Sequence, residues 1–198
     1  MEKYLMSEFN PLAKGNSWVF LSNGRGKVTQ TVSDIAYVGG ERVEKVISSD
    51  GKVVLLKNEQ GLNTYEIKQK LGKLTYDPPI SLAPEQLVTG NIHKYSSKVT
   101  MIFLGIPIRM GRINGFTILV GEEDVTVPAG HFSNCLKFES VATQKGFVKA
   151  ESKLTIWFAK GIGEVKCEFS TTVAGRTKST QKHLLAAVVG NRQIPEKP

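Results

Sequence analysis

A chain of 198 residues, 40% hydrophobic and 22% charged, is long enough for one domain with its own core and has an ordinary globular balance. No apolar run approaches the roughly 20 residues that a membrane-crossing helix needs. Nor do Met1, Glu2, Lys3, Tyr4, Leu5 and Met6 form the apolar region of a signal peptide, which leaves both an intracellular protein and a mature exported chain without its leader open. The net charge of +8 favours anionic partners, but the lysines are scattered, as at Lys68, Lys70, Lys145 and Lys149. Alternating strands with one solvated face produce that pattern.

Period-two alternation and turn residues recur along the chain, and sustained helical periodicity is nearly absent. Trp18-Val19-Phe20-Leu21 reads as a strand that turns at Ser22-Asn23-Gly24-Arg25-Gly26. Residues 27–32 resume it, and Tyr37-Val38 leads to a turn at Gly39-Gly40. Asp50-Gly51 is a two-residue hairpin signal because both positions tolerate positive φ; it joins 44–49 to 52–57. Gln60-Gly61 and Leu71-Gly72 bound strands at 62–70 and 73–76.

The meander is expected to pause at Asp77-Pro78-Pro79-Ile80-Ser81-Leu82-Ala83-Pro84-Glu85, because proline cannot donate to a strand ladder. Residues 84–88 read as one short helical turn with Pro84 at its start. Further strands are expected at 93–104, 112–122, 132–143, 147–158, 164–173 and 177–189. The stretch His183 to Val189 is ambiguous with helix, but Val188-Val189 is β-branched and favours a final strand. Residues 191–198 read as a disordered tail.

The fold class is therefore all-β: one domain over residues 1–190, with the Pro-rich connection at 77–85 inside it. About eleven antiparallel strands exceed what a flat sheet holds, so the sheet should curl into a half-barrel or open barrel with at most short helical turns. A strongly curved sheet has a concave face that side chains, a plug or a ligand must fill.

No catalytic motif is legible. His93, His131 and His183 lie far apart, and none has a second His or Cys at metal-ligand spacing. There is no G-x-S-x-G elbow, H-E-x-x-H or phosphate-binding loop. Gly161-Ile162-Gly163 is followed by a strand pattern, so a pyrophosphate would lack its helix N-terminus, and the glycines read as a hairpin turn. Glu122-Glu123-Asp124 lacks the loop spacing of a calcium site. Cys135 and Cys167 fall on opposite faces of their strands with the strand at 152–158 between them, so both are expected as free thiols. Nucleic-acid binding needs aromatics interleaved with basic residues, of which Tyr65, Lys68 and Lys70 give only a fragment. No enzyme, metal, cofactor or nucleic-acid role is expected.

Three segments carry a resemblance. They are Phe9-Asn10-Pro11-Leu12-Ala13-Lys14-Gly15-Asn16-Ser17-Trp18, the run Glu123-Asp124-Val125-Thr126-Val127-Pro128-Ala129-Gly130-His131-Phe132-Ser133-Asn134-Cys135-Leu136, and Trp157-Phe158-Ala159-Lys160-Gly161-Ile162-Gly163-Glu164-Val165-Lys166. Together they resemble the TapB-like family of uncharacterised bacterial exported proteins and lipoproteins, whose fold is similar to the open half-barrels of LolA and LppX. His131 departs from the small residue usual there. The resemblance implies a periplasmic or outer-membrane-associated protein with a curved sheet around an apolar cavity, and it supplies no catalytic residues.

On this reading the concave face holds a lipid-like or other apolar molecule against Ile102, Leu104, Leu136, Phe138, Leu154, Ile156 and Phe158, as apolar pockets with few polar anchors do. The alternative is a non-enzymatic interaction module of the cell envelope that binds a partner protein along an exposed sheet edge.

Overall fold

Side chains that point alternately in and out make each strand of this chain two-faced, and the turns decide which strands become neighbours. The computed structural model describes residues 3–57 and 60–196. It begins with β1 (Lys3–Leu5) and one turn of helix, α1 (Met6–Phe9). The strands β2 (Ser17–Ser22), β3 (Gly26–Val38), β4 (Glu41–Ser48), β5 (Val53–Lys57) and β6 (Leu62–Gln69) follow as a meander. A hairpin forms at Asp50-Gly51 as a three-residue turn instead of the expected two-residue one: Ser48 N donates to Lys52 O at 2.8 Å, Gly51 N donates to Ser48 O at 2.9 Å, and of the pair only Gly51 takes a positive φ.

The second half comprises β7 (Gly72–Ala83), β8 (Gln86–Val88), β9 (Ile92–Phe103), β10 (Ile106–Val127), β11 (Gly130–Lys145), β12 (Ala150–Ala159), β13 (Gly163–Val173), β14 (Arg176–Val189) and β15 (Arg192–Ile194). The segment His183 to Val189 is strand, within β14.

The sheet is closed, which corrects the expected open half-barrel of about eleven strands. Each strand from β2 to β14, β8 apart, pairs with its neighbours, and β14 returns to pair antiparallel with β2 as well as β13. Lys182 lies opposite Ser22, Leu184 opposite Phe20 and Ala187 opposite Trp18. Twelve strands thus form a ring, with β15 attached beside it on β14. Closure removes the two outer edges that an open sheet would leave, although 92–97 of β9 have no ladder partner on the β7 side. It depends on a pairing between the two ends of the chain, which no local pattern encodes.

Three local expectations are also corrected. The Pro-rich segment does not interrupt the sheet, because β7 runs through it. Before the prolines β7 is paired on both sides, 72–75 with β6 and 73–77 with β9; after them only the β6 pairing resumes, at Ile80, Ser81 and Ala83. Pro78 and Pro79 fall in a break of the β6 ladder, between Thr75 and Ile80, and beyond the end of the β9 ladder at Asp77, so no ladder donor is required of them, and the Asp77–Pro78 peptide is cis. Residues 86–88 are a strand instead of a helical turn, held by β1 in register Leu5 to Gln86 and Lys3 to Val88. In the expected tail, Arg192–Ile194 pairs with β14, Ile194 opposite Ala187.

One end of the barrel is plugged. Met6 and Phe9 of α1 are buried with Leu62, Ala83, Leu87, Leu119, Leu136, Phe138 and Phe158. Two backbone bonds fix the plug, from Met6 N to Glu85 O at 2.9 Å and from Gly161 N to Glu8 O at 2.8 Å. The β10–β11 hairpin turns back over β14, Ala129 N donating to Leu184 O at 2.9 Å. The opposite end is a mouth, where the turn at Ser48 to Lys52 and the start of β14 lie and where Phe169 is 42% exposed.

Candidate functional site: the barrel interior

Parity along the strands selects what faces inward. In β12 the inward residues are Leu154, Ile156 and Phe158, and across β13 they face Phe169, Cys167 and Glu164. From β2 come Trp18 and Phe20, from β5 Val54 and Leu56, and from β6 Leu62, Thr64 and Ile67. Together they line a cavity of about 370 Å³ that Leu12 and Asn10 approach from the plugged end. A second void of about 180 Å³ lies near that end, between β8, His93, Thr117 and Phe138.

The cavity is mainly apolar, with one charged group of residues toward the mouth. Lys182 Nζ meets Glu164 Oε1 at 2.5 Å, and the two side chains are only 19% and 18% exposed. The same ammonium lies 4.8 Å from the centre of the Phe20 ring. Burial works against the Lys182 charge, but Glu164, with Cys167 and Asp50, outweighs it and raises the group above its ordinary value. Lys52 lines the same cavity from the end of the 48–52 turn. Burial, and then the Lys182 charge, push Lys52 below its ordinary value, with Asp50 and Glu164 pulling the other way. Among the described residues, no carboxylate lies within ion-pair distance of Lys52. The Asp50 carboxylate instead accepts the Lys52 backbone N–H at 3.1 Å.

Of the residues proposed from sequence, the structure brings Leu154, Ile156 and Phe158 together in the cavity. Phe138 lines the adjoining void, packed edge-on against Phe158 at 5.8 Å. Leu136 is fully buried in the plug-end core. Ile102 lies at the far rim, opposite Lys73 and Pro107. Leu104 is not in the interior: it sits in the β9–β10 turn at φ +49° and is 84% exposed, because β9 and β10 project past β11, whose pairing with β10 ends at Arg112. Sequence reading missed Trp18, Phe20, Lys52, Glu164 and Lys182. The two lysines looked like ordinary solvated strand residues; the usable signal was Lys182 sharing parity with Leu184.

Both cysteines are free and buried. Cys167 faces the cavity, and burial, then Glu164, push its thiol up to about 12. Cys135, two strands away, donates to Phe132 O at 3.5 Å, and burial, then Asp124, push it up to about 11.

The acidic cluster at the end of β10 has local partners: Glu123 pairs with Lys137 at 3.0 Å, and Asp124 accepts Asn134 N at 3.0 Å. Ser133, His131 and Asp124 come together on the surface, but Ser133 Oγ at 3.4 Å and Asp124 Oδ2 at 3.6 Å both address His131 Nε2, while Nδ1 faces Thr126 at 3.1 Å. A nucleophile–base–acid relay needs serine and acid on opposite ring nitrogens. Among the described residues no three His, Cys, Asp or Glu side chains are placed to hold a metal.

No family model matches the chain, and no curated protein does. Two solved structures are similar to it at 12% identity. One is named for a candidate lipoprotein of Parabacteroides distasonis, with a TM-score of 0.46 over 93% of this chain and 98% of that one. The other is named for a candidate exported protein with a YmcC-like fold from Bacteroides fragilis, with a TM-score of 0.43 over 89% of this chain and 96% of that one.

Proposed function

We propose that the chain is a non-enzymatic envelope protein that binds a lipid-like or other apolar molecule inside its barrel. One observation carries this reading: a mainly apolar cavity of about 370 Å³ inside the barrel, plugged at one end. Ligand pockets are of this kind, roughly 300–1,000 Å³, with apolar walls and few polar groups. Each buried methylene of a guest contributes about 0.8 kcal/mol. The envelope location rests on the resemblance of the three sequence segments to exported proteins. The alternative of partner binding by strand addition is less well supported, because among the described residues ring closure leaves only partial edges, 92–97 of β9 and 106–111 of β10.

Native mass spectrometry of protein purified from its own host tests the reading. A bound small molecule of lipid-like mass is expected, and it should be absent from Leu154→Trp and Ile156→Trp variants, whose indoles occupy the cavity. A wild type that carries nothing and takes up no apolar probe would overturn it.

A further inference from the structure

We propose that the cavity selects a guest with one anionic head group, held by Lys52 at the mouth while its apolar tail runs inward against Trp18, Leu56, Ile156 and Phe158; this rests on the preceding reading. The charge count is the starting point. Lys52 and Lys182 bring two positive charges to the cavity and Glu164 brings one negative. Glu164 is committed to Lys182 at 2.5 Å, so among the described residues the second ammonium, Lys52, has no carboxylate in ion-pair contact and feels Asp50 and Glu164 only at longer range. A buried charge is costly unless paired, and the Asp50 carboxylate on that turn bonds Ser48 and the Lys52 backbone N–H, reaching the Lys52 ammonium only through longer-range attraction. A carboxylate or phosphate arriving at Lys52 would supply the missing partner through a charge-assisted bond.

The geometry also orients the guest. Lys52 leaves the 48–52 turn at the mouth, whereas Leu56, Phe158 and Trp18 continue the lining toward the plug. At roughly 30 Å³ for each water-sized group, a cavity of about 370 Å³ admits about a dozen carbon-sized groups. A single medium-length chain fits that volume.

Calorimetric titration with dodecanoate, dodecyl phosphate and dodecan-1-ol tests this in the wild type and in Lys52→Met, Lys52→Arg and Glu164→Gln, each checked for folding by its thermal transition. The wild type should bind at least one anion roughly tenfold or more tighter than the alcohol. Which anion wins tells a carboxylate from a phosphate head. Lys52→Met should abolish the preference by weakening the anions far more than the alcohol, Lys52→Arg should keep it, and Glu164→Gln, which frees a second ammonium, should increase it. Equal binding of alcohol and anions, or a preference that survives Lys52→Met, would overturn the anionic-head assignment and leave the apolar-binding reading standing. Binding of none of the three would overturn both.

Discussion

Trp18 and Ile162, 144 positions apart in sequence, are joined by a hydrogen bond from the indole Nε1 to the main-chain carbonyl at 2.7 Å. The indole of β2 thereby locks onto the hairpin that connects β12 to β13. Gly163, the next residue, has φ +108°, and a Cβ there would lie 3.1 Å from the same Nε1. Two of the segments that carry the sequence resemblance thus meet in space.

Replacing Trp18 with Phe should remove that bond and destabilise the fold by about 1–3 kcal/mol, since the buried carbonyl loses its partner. Gly163→Ala should cost a similar ~1–3 kcal/mol, from left-handed backbone strain and the approach to the indole. Urea unfolding of the two single variants and the double variant measures both effects, and a strongly non-additive double variant is expected because the sites touch.

Breaking the Lys182–Glu164 pair from one side should be far worse than removing it whole. Lys182→Met leaves a carboxylate in the barrel with its nearest cation gone, and a loss of about 3–5 kcal/mol is expected. The double variant Lys182→Met with Glu164→Leu should recover much of that loss in the same unfolding assay.

Lys52 should behave in the opposite sense. Its folded-state value is depressed, so between that value and the ordinary one the unfolded chain binds more protons, and this group makes stability rise with pH in that window. Below the window the charged lysine costs stability in full. Lys52→Met should therefore raise the melting temperature at neutral pH, by roughly 2–4 °C for each kcal/mol recovered. The difference from wild type should shrink as pH climbs toward the ordinary lysine range. A variant that melts lower at neutral pH would contradict this.

With thiols pushed up to about 12 and about 11 by burial, neither Cys167 nor Cys135 should react with a thiol reagent at pH 8 while the chain is folded, since thiolate is the reactive form. Both should react after denaturation. The colorimetric count before and after adding guanidinium reads this directly.

Gly115 has Tyr95 lying across it, and an added Cβ would meet the ring at 2.5 Å. Gly115→Ala should displace the ring, loosen the contact of its hydroxyl with Ser140 Oγ at 3.3 Å, and destabilise by about 1–3 kcal/mol. The near-ultraviolet tyrosine signal should change with it.

Much of the fold was legible because strand period and turn chemistry are local properties. The turn at Asp50-Gly51, the hairpin at Gly161 to Gly163 and the parity of Leu154, Ile156 and Phe158 all follow from neighbouring residues. Closure was not legible, because the match of Leu184 to Phe20 joins the two ends of the chain. The β7 prolines misled for a related reason: proline bars a ladder donor only where a ladder needs one, and Pro78 and Pro79 lie in a break of the β6 ladder, past the end of the β9 one. Leu104 has the composition of a lining residue, yet it lies on a hairpin longer than its neighbours. Lys52 and Lys182 could not be told from surface lysines until the ring fixed which way their strands face.

Toward the mouth, where 73–77 of β7 pair with 98–102 of β9, the hydrogen-bonded ring also fixes the girth of the interior. Widening the barrel would require one strand ladder to open along its length, which costs many hydrogen bonds at once. A molecule entering at the mouth would therefore come and go along the axis. Selection among guests would act through how long they are and what they carry at the outer end, with thickness capped in advance by the number of strands.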